Sequence, residues 1–415
     1  MPSDHSLMAY AMRRARLAGM ALLDSGCDVP WFLPLDQLQD KTSKQGGALI
    51  SFANYDYLGL SDHQSIRDAA RAALDKIGVG ALGSRLVGGE RLIHGDFEDA
   101  LAKFVGADAC LSLVSGYLTN LTTISHLMGR RDLILYDELS HNSIVAGVMG
   151  CKATAVEFKH NDMEHLESLL KEMRAEYRNC LIVAESLYSM DGDIANLPEL
   201  LNLKERHESW LLVDEAHSIG VLGKNGRGVS EHFGTDPKRI DIIIGTLSKT
   251  FASCGGFVCA QREVLEWMRY TLPGFVYSVG LPPVIAAAAQ AALELIAAEP
   301  ARVTKLQNNA RYFLQRAQEA HLWTGPAEGY AIVPVIFPDL KTTMEGSEFL
   351  LKNGIYAPPI VQVSVPKGMP RIRFFISAQH SFDDIDRTIG VLKDFVAAHP
   401  AAAVRQPPAE VPAHV

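Results

Sequence analysis

The chain has little of what marks several large classes of protein. Cysteine is scarce: Cys27, Cys110, Cys151, Cys180, Cys254 and Cys259 lie far apart or inside apolar runs, with no CxxC pair. That excludes a disulfide framework, leaves no metal site to propose, and favours reduced thiols in a cytoplasmic setting. A basic excess is also lacking. With 39 lysines and arginines against 48 aspartates and glutamates, the net charge of -9 suggests neither a nucleic-acid stripe nor a polybasic membrane patch. No apolar run reaches membrane-spanning length, and the opening MPSDHSLMAYAMRRARLAGMALLDSG has no uninterrupted apolar core of the kind a signal peptide needs. It reads instead as an amphipathic helix packed on the body or on a partner, with peripheral membrane contact as an open alternative. Internal repeats at solenoid periods are absent.

What the chain does have is an apolar content of 48% over 415 residues, enough for a sizeable core and two to three domains. From residue 51 onward, short apolar runs alternate with longer helical patterns, the signature of an α/β fold with a mainly parallel sheet. Seven strands are expected at 109–114, 133–136, 153–158, 181–185, 210–214, 241–245 and 256–260. They make a large domain over 51–285, preceded by a helical arm at 1–50. After LPP at 281–283 come an Ala-rich helix, the strand-like YAIVPVIF, VQVSV and RIRFFIS, and a closing helix, which together suggest a smaller α+β domain over 286–398. The Ala- and Pro-rich tail 399–415 reads as disordered.

Polar residues recur at the carboxyl ends of the expected strands: Ser115-Gly116-Tyr117, Glu185-Ser186, Asp214 to His217, and Thr246 to Lys249. Ligands of open α/β sheets bind outside those ends, so the pattern places one site there. A lysine in apolar surroundings loses its proton readily and suits Schiff-base and general-base chemistry. A carboxylate nearby could keep a pyridine nitrogen protonated, and Asp214 is the candidate. Ser115-Gly116-Tyr117 opens a helix whose N–H groups and dipole suit a phosphate. Together these describe a pyridoxal phosphate site. Taken singly, Lys249 could be a solvated lysine, Asp214 a helix cap, and His217 or His141 a structural histidine. GVGALG at 78–83 fits GxGxxG but follows a helical pattern rather than a strand, so a dinucleotide fingerprint fails its context test.

With these residues in view, the sequence resembles the α-oxoamine synthases, a family that includes serine palmitoyltransferase and 8-amino-7-oxononanoate synthase. The likeness runs in order through NYDYLGL (54–60), GSRLVGG (83–89), SHNSIVAG (140–147), ESLYSMDGDIANL (185–197), VDEAHSIGVLGKNGRG (213–228), GTLSKTFASCGGF (245–257), YSVGLPP (277–283) and RIRFFISAQH (371–380). It implies the type I aminotransferase fold, pyridoxal 5'-phosphate as cofactor, and a homodimer with active sites at the subunit interface. It further implies that Lys249 forms the Schiff base and moves the amino acid's Cα proton, while Asp214 faces the pyridine nitrogen. His217 would face the phenolic oxygen and His141 stack on the ring. Ser115, Gly116, Tyr117, Ser189 and Thr246 would surround the cofactor, and Ser278 would reach the phosphate from the other subunit. Arg371, with Arg373 as its rival, and Asn54 would hold the substrate carboxylate. The implied reaction joins a small L-amino acid to an acyl thioester, carried by CoA or an acyl carrier protein, with loss of CO2 and thiol. TLSKTFAS and LPGFVYSVGLPP look more like serine palmitoyltransferases, GSRLVGG leans toward the oxononanoate enzymes, and SHNS departs from both. Long-chain or polyketide-type acyl thioesters are the favoured expectation. Biotin-pathway chemistry is the alternative, and an ordinary aminotransferase a more distant one.

Overall fold

In the computed structural model the described residues are 6–17, 31, 33, 49–360, 369–399 and 402. The strands in chain order are β1 (Ile50–Ser51), β2 (Ala109–Leu113), β3 (Asp132–Asp137), β4 (Thr154–Phe158), β5 (Asn179–Glu185) and β6 (Trp210–Asp214). They continue with β7 (Ile242–Thr246), β8 (Gly256–Ala260), β9 (Ile332–Ile336), β10 (Ile355–Tyr356), β11 (Pro359–Ile360) and β12 (Arg371–Phe375). The first five helices are α1 (Leu7–Leu17), α2 (Gln64–Ile77), α3 (Leu92–Val105), α4 (Gly116–Leu127) and α5 (Asn142–Gly150). The seven expected strands are all present, with ends shifted by no more than two residues.

They form one sheet in the order β2-β8-β7-β6-β5-β3-β4. Only β8 runs against its neighbours, pairing antiparallel with both β2 and β7, so the sheet is otherwise parallel. Continuous apolar runs are what such a sheet requires, because helices cover both of its faces. Successive residues of β5 show this: Leu181 and Val183 enter one core cluster, Ile182 and Ala184 the other. Alternation along the strand sends neighbours to opposite faces, and here both faces are dry.

The C-terminal part contains a second, antiparallel sheet in the order β11-β12-β9. It is tied back to the start of the chain, since β1 pairs parallel with β10 through Ile50–Ile355 and Ser51–Tyr356. NYDYLGL is therefore delivered beside RIRFFIS, with Phe375 N–H donating to Phe52 O at 2.9 Å and Ala378 N–H to Tyr57 O at 2.7 Å. The expected strand VQVSV and nearly all of the tail 399–415 lie outside the described residues. The N-terminal helix spans 7–17 and leaves Leu7, Met8, Tyr10 and Met12 exposed. No single helix among the described residues is long and apolar enough to cross a membrane.

One close contact fixes the start of α4 on the sheet. A Cβ on Gly256 would lie 2.6 Å from Gly116 Cα and 2.5 Å from Thr119 Oγ1, and one on Gly116 would lie 2.7 Å from Thr246 Oγ1. Glycine at both positions lets the helix N-terminus rest directly on the ends of β7 and β8. Gly256→Ala is expected to lose about 1–3 kcal/mol of stability by overpacking. Denaturant titration checks this, the midpoint falling with an unchanged slope.

Candidate active site

The carboxyl ends of β2, β5, β6 and β7 meet around a cavity of about 390 Å³. Its walls include Gly116, Tyr117, His141, Ser189, Asp214, His217, Thr246 and Lys249. Eight expected residues, drawn from five separate stretches of sequence, are thus brought to one place. Lys249 stands in a short loop closed by two hydrogen bonds, Leu247 N–H to Gly255 O (2.9 Å) and Ser253 N–H to Leu247 O (3.0 Å). Its Nζ is 2.8 Å from His217 Nε2 and 5.5 Å from the centroid of the Tyr55 ring. Burial in the cavity wall pushes the amine down to about 8, outweighing Asp214 and Glu185, whose charges pull it up.

Asp214 ends β6, and both its oxygens are engaged: Oδ1 accepts from Ala216 N–H at 2.9 Å and Oδ2 from Asn120 Nδ2 at 2.6 Å. These bonds fix the carboxylate at the back of the cavity. His217 is buried, and burial together with the nearby Lys249, Arg373 and His141 holds it well below its usual pKa, so its ring is neutral. His141 caps α5, its Nδ1 accepting from Ser143 N–H at 3.2 Å. A structural role and a place on the cavity wall coincide there. Glu185, at the end of β5, is pushed up to about 8 by burial and by Asp214. Its Oε1 accepts the backbone N–H of His141 at 2.5 Å.

Four expected residues are placed elsewhere. Ser115 caps α4, its Oγ accepting from Leu118 N–H, and is not on the cavity wall. Asn54 accepts from Asp56 N–H through Oδ1 and also lies off the wall, while its neighbour Tyr55 lines the cavity. Ser278 stands outside the cavity. Arg371 is fully buried away from it, with Nη1 2.6 Å from Asp191 Oδ1 and 3.1 Å from Met190 O. Its rival Arg373 is the arginine on the wall, and Nη1 donates to Ser189 O at 2.6 Å while Nε has no partner. The difference in placement has a simple cause. Two residues apart on β12, both arginines leave the same face of the strand, and Asp191 captures the first of them.

Sequence reading did not single out Tyr55, Asn120 or Met190, or give Glu185 a role. Asn120 carried a signal, being an amide inside the apolar helix pattern YLTNLTTISHLMG. The segment 186–194, which delivers Ser189 and Met190, is braced from outside the cavity. His160 sits between Asp137 Oδ1 (2.9 Å) and Asp193 Oδ2 (3.0 Å), and Tyr188 OH donates to Asp137 Oδ2 at 2.9 Å.

With this geometry in place, the comparisons with known proteins give its class. The chain belongs to the aminotransferase class I and II family, whose model matches residues 48–392, and within it to the α-oxoamine synthases. It is 39% identical over 344 residues to an 8-amino-7-oxononanoate synthase of Thermoanaerobacter pseudethanolicus, covering 83% of this chain and 87% of that one. A Sphingomonas wittichii serine palmitoyltransferase superposes with a TM-score of 0.90 at 30% identity, covering 96% of this chain and 100% of the other. A serine palmitoyltransferase structure containing PLP gives the same TM-score, identity and coverage. The type I aminotransferase fold expected from the sequence is the fold observed.

Two predictions follow from the surroundings of the cavity. Arg371→Ala leaves Asp191 buried without its partner and is expected to cost about 3–5 kcal/mol, read by thermal or chemical denaturation. Burial alone would lower the His160 pKa, but its bonds to Asp137 and Asp193 and their charges raise it to about 10. That stabilisation is fully present below the unfolded value of about 6.5 and is lost as pH rises through about 10. Lys249 contributes in the opposite sense above about 8, so the check is the difference between wild type and His160→Gln, which is expected to shrink steadily from pH 7 to 10.

Proposed function

We propose that the protein condenses a small L-amino acid with an acyl thioester, releasing CO2 and a free thiol and leaving an α-amino ketone. The observation that carries this reading is Lys249, an amine with a pKa near 8, facing one cavity with Asp214, His217 and Arg373. The residues present fit pyridoxal phosphate. An amine and a fixed carboxylate line the same space, and the N-terminus of α4 opens onto it beside Gly116, where a side chain would collide with Thr246. When bound, pyridoxal phosphate supplies a carbonyl that condenses with amines and a ring that accepts the electron pair left by a broken bond at the amino acid's α-carbon.

The chain's own groups divide the remaining work. Lys249 holds the cofactor and afterwards carries the Cα proton at Nζ. Asp214, held by the Asn120 amide, would serve the ring nitrogen, Gly116, Tyr117 and Thr246 would hold the phosphate, and His141 would cover the ring. Arg373, with its unpartnered Nε, receives the substrate carboxylate, and Tyr55 closes that side. A bond forms between the amino acid's α-carbon and the acyl carbonyl carbon as the C–S bond breaks and the thiol leaves. The α-carbon then loses its carboxylate as CO2 and regains a proton.

For the substrates, the serine palmitoyltransferase overlays support serine with a long-chain acyl thioester. The 39% identity to an 8-amino-7-oxononanoate synthase supports at least as well a second reading in which the product is 8-amino-7-oxononanoate. The proposal includes a homodimer. Leu82, Val87, Leu92 and Tyr277 stand exposed around the point where Gly280 N–H donates to Gly83 O at 2.9 Å, which supports burying that patch against a second copy. Ser278 lies beside the patch, consistent with reaching the second copy's cavity.

The test is release of CO2 and free thiol from glycine, L-alanine, L-serine or L-threonine given with short and long acyl thioesters. One amino acid is expected to yield both in equal amounts, and an aminotransferase would release neither. Lys249→Ala is expected to abolish release while leaving the fold intact. Arg373→Ala is expected to raise the amino-acid KM by about 10–100-fold, the loss of a charged hydrogen bond, with little change in stability beside Arg371→Ala. Because the free amine is the reacting form, capture of pyridoxal phosphate by the protein, followed by absorbance, is expected to accelerate as pH rises through about 8.

A further inference from the structure

The second tyrosine of NYDYLGL has no part in the account so far, yet it touches the centre of the site. Tyr57 is fully buried, and its hydroxyl lies 2.7 Å from His217 Nδ1. On the opposite edge of the same ring, Nε2 lies 2.8 Å from Lys249 Nζ. We infer that Tyr57 is a positioning residue that lets the His217 proton exchange between Nδ1 and Nε2, so that the ring can either accept from or donate to Lys249. The inference rests on the reading of Lys249 as the reactive amine.

The argument is one of donors and acceptors. A neutral imidazole holds one N–H, so it must donate at one edge and accept at the other. An ammonium only donates, a free amine can accept as well as donate, and a hydroxyl does either. When Lys249 is protonated it donates to Nε2, and Nδ1–H donates to the Tyr57 oxygen. When Lys249 has lost its proton to solvent, Nε2–H donates to Nζ and the Tyr57 O–H donates to Nδ1. The ring keeps one proton and no charge in both states, and Tyr57 keeps its own by rotating the hydroxyl. Burial raises the tyrosine's pKa well above its usual value, so it remains a hydroxyl throughout. The other titratable and charged groups facing His217 and Lys249 are Tyr55, Arg373, His141, Asp214 and Glu185. None of these is bonded to Nδ1 among the described contacts, where the partner is Tyr57. In the state with Nε2–H, the ring presents a donor to whatever oxygen or nitrogen lies over Lys249.

The test is nitrogen NMR of the full-length protein carrying 15N-histidine, from pH 6 to 10, before any cofactor is added. His217 is assigned by loss of its signals in His217→Gln. In wild type the ring is expected to stay neutral while its proton moves from Nδ1 to Nε2 as Lys249 deprotonates. In Tyr57→Phe the exchange is expected to vanish, or its midpoint to move by about one pH unit or more. A single tautomer at every pH in wild type, or an unchanged midpoint in Tyr57→Phe, would overturn the inference. A single tautomer at every pH in wild type overturns the inference even if Tyr57→Phe does not fold, and Tyr57→His, which keeps a group able to donate or accept at that position, is expected to retain the exchange. Failure of the functional reading shows separately, as absence of CO2 and thiol release in a protein whose tautomer exchange is intact.

Discussion

The rest of the site depends on one constraint, the removal of the Lys249 amine from water. In solution a lysine stays protonated near neutral pH and cannot attack a carbonyl. Here the cavity wall desolvates it and brings its pKa to about 8, while Asp214 and Glu185 limit how far it falls. The balance matters in both directions. Without the carboxylates the amine would be neutral but lack the charge partner its proton needs on return, and without burial it would remain an inert cation. Glu185, itself pushed up to about 8, takes part in the same balance, because its protonation adjusts the field at Lys249 around that pH.

Holding that balance requires the surroundings to be exact in position rather than strong. Asn120 and the backbone at Ala216 orient Asp214. Glycines at 116 and 256 let α4 sit on the strand ends, so its N-terminus faces the cavity. From the other side, β12 sends two arginines toward the segment 189–191, and the Asp191 pair leaves Arg373 as the one at the wall. Arg371 is tied to the segment against which Arg373 is aimed, through Asp191 Oδ1 and Met190 O.

Much of this was legible in the sequence, for physical reasons. Strands buried on both faces have to be continuous apolar runs, so seven of them stood out with ends correct to within two residues. The polar residues that follow such runs have to lie on one edge of the sheet, which places Lys249, Asp214 and His217 together from the sequence alone. What stayed hidden depends on contacts between distant segments. Arg371 and Arg373 share a strand face, and only the position of Asp191 separates them. Asn54 and Tyr55 are adjacent, and the pairing of β1 with β10 decides which of them reaches the cavity. Ser115 caps α4, and capping and anion binding use the same end of a helix, so a linear pattern does not separate the two roles. Asn120 and Tyr57 act through other side chains, and a partner behind a catalytic group leaves little trace in a linear pattern.

Sequence likeness and overall shape lean toward different substrates, through an oxononanoate synthase in one case and serine palmitoyltransferases in the other. The chemistry at Lys249 is common to both. The most direct measurement of that centre is to add pyridoxal phosphate to the protein, reduce with borohydride, digest, and map the modified residue by mass spectrometry. The account predicts one pyridoxyl group per chain, on Lys249. Label spread across surface lysines with Lys249 unmodified would contradict it.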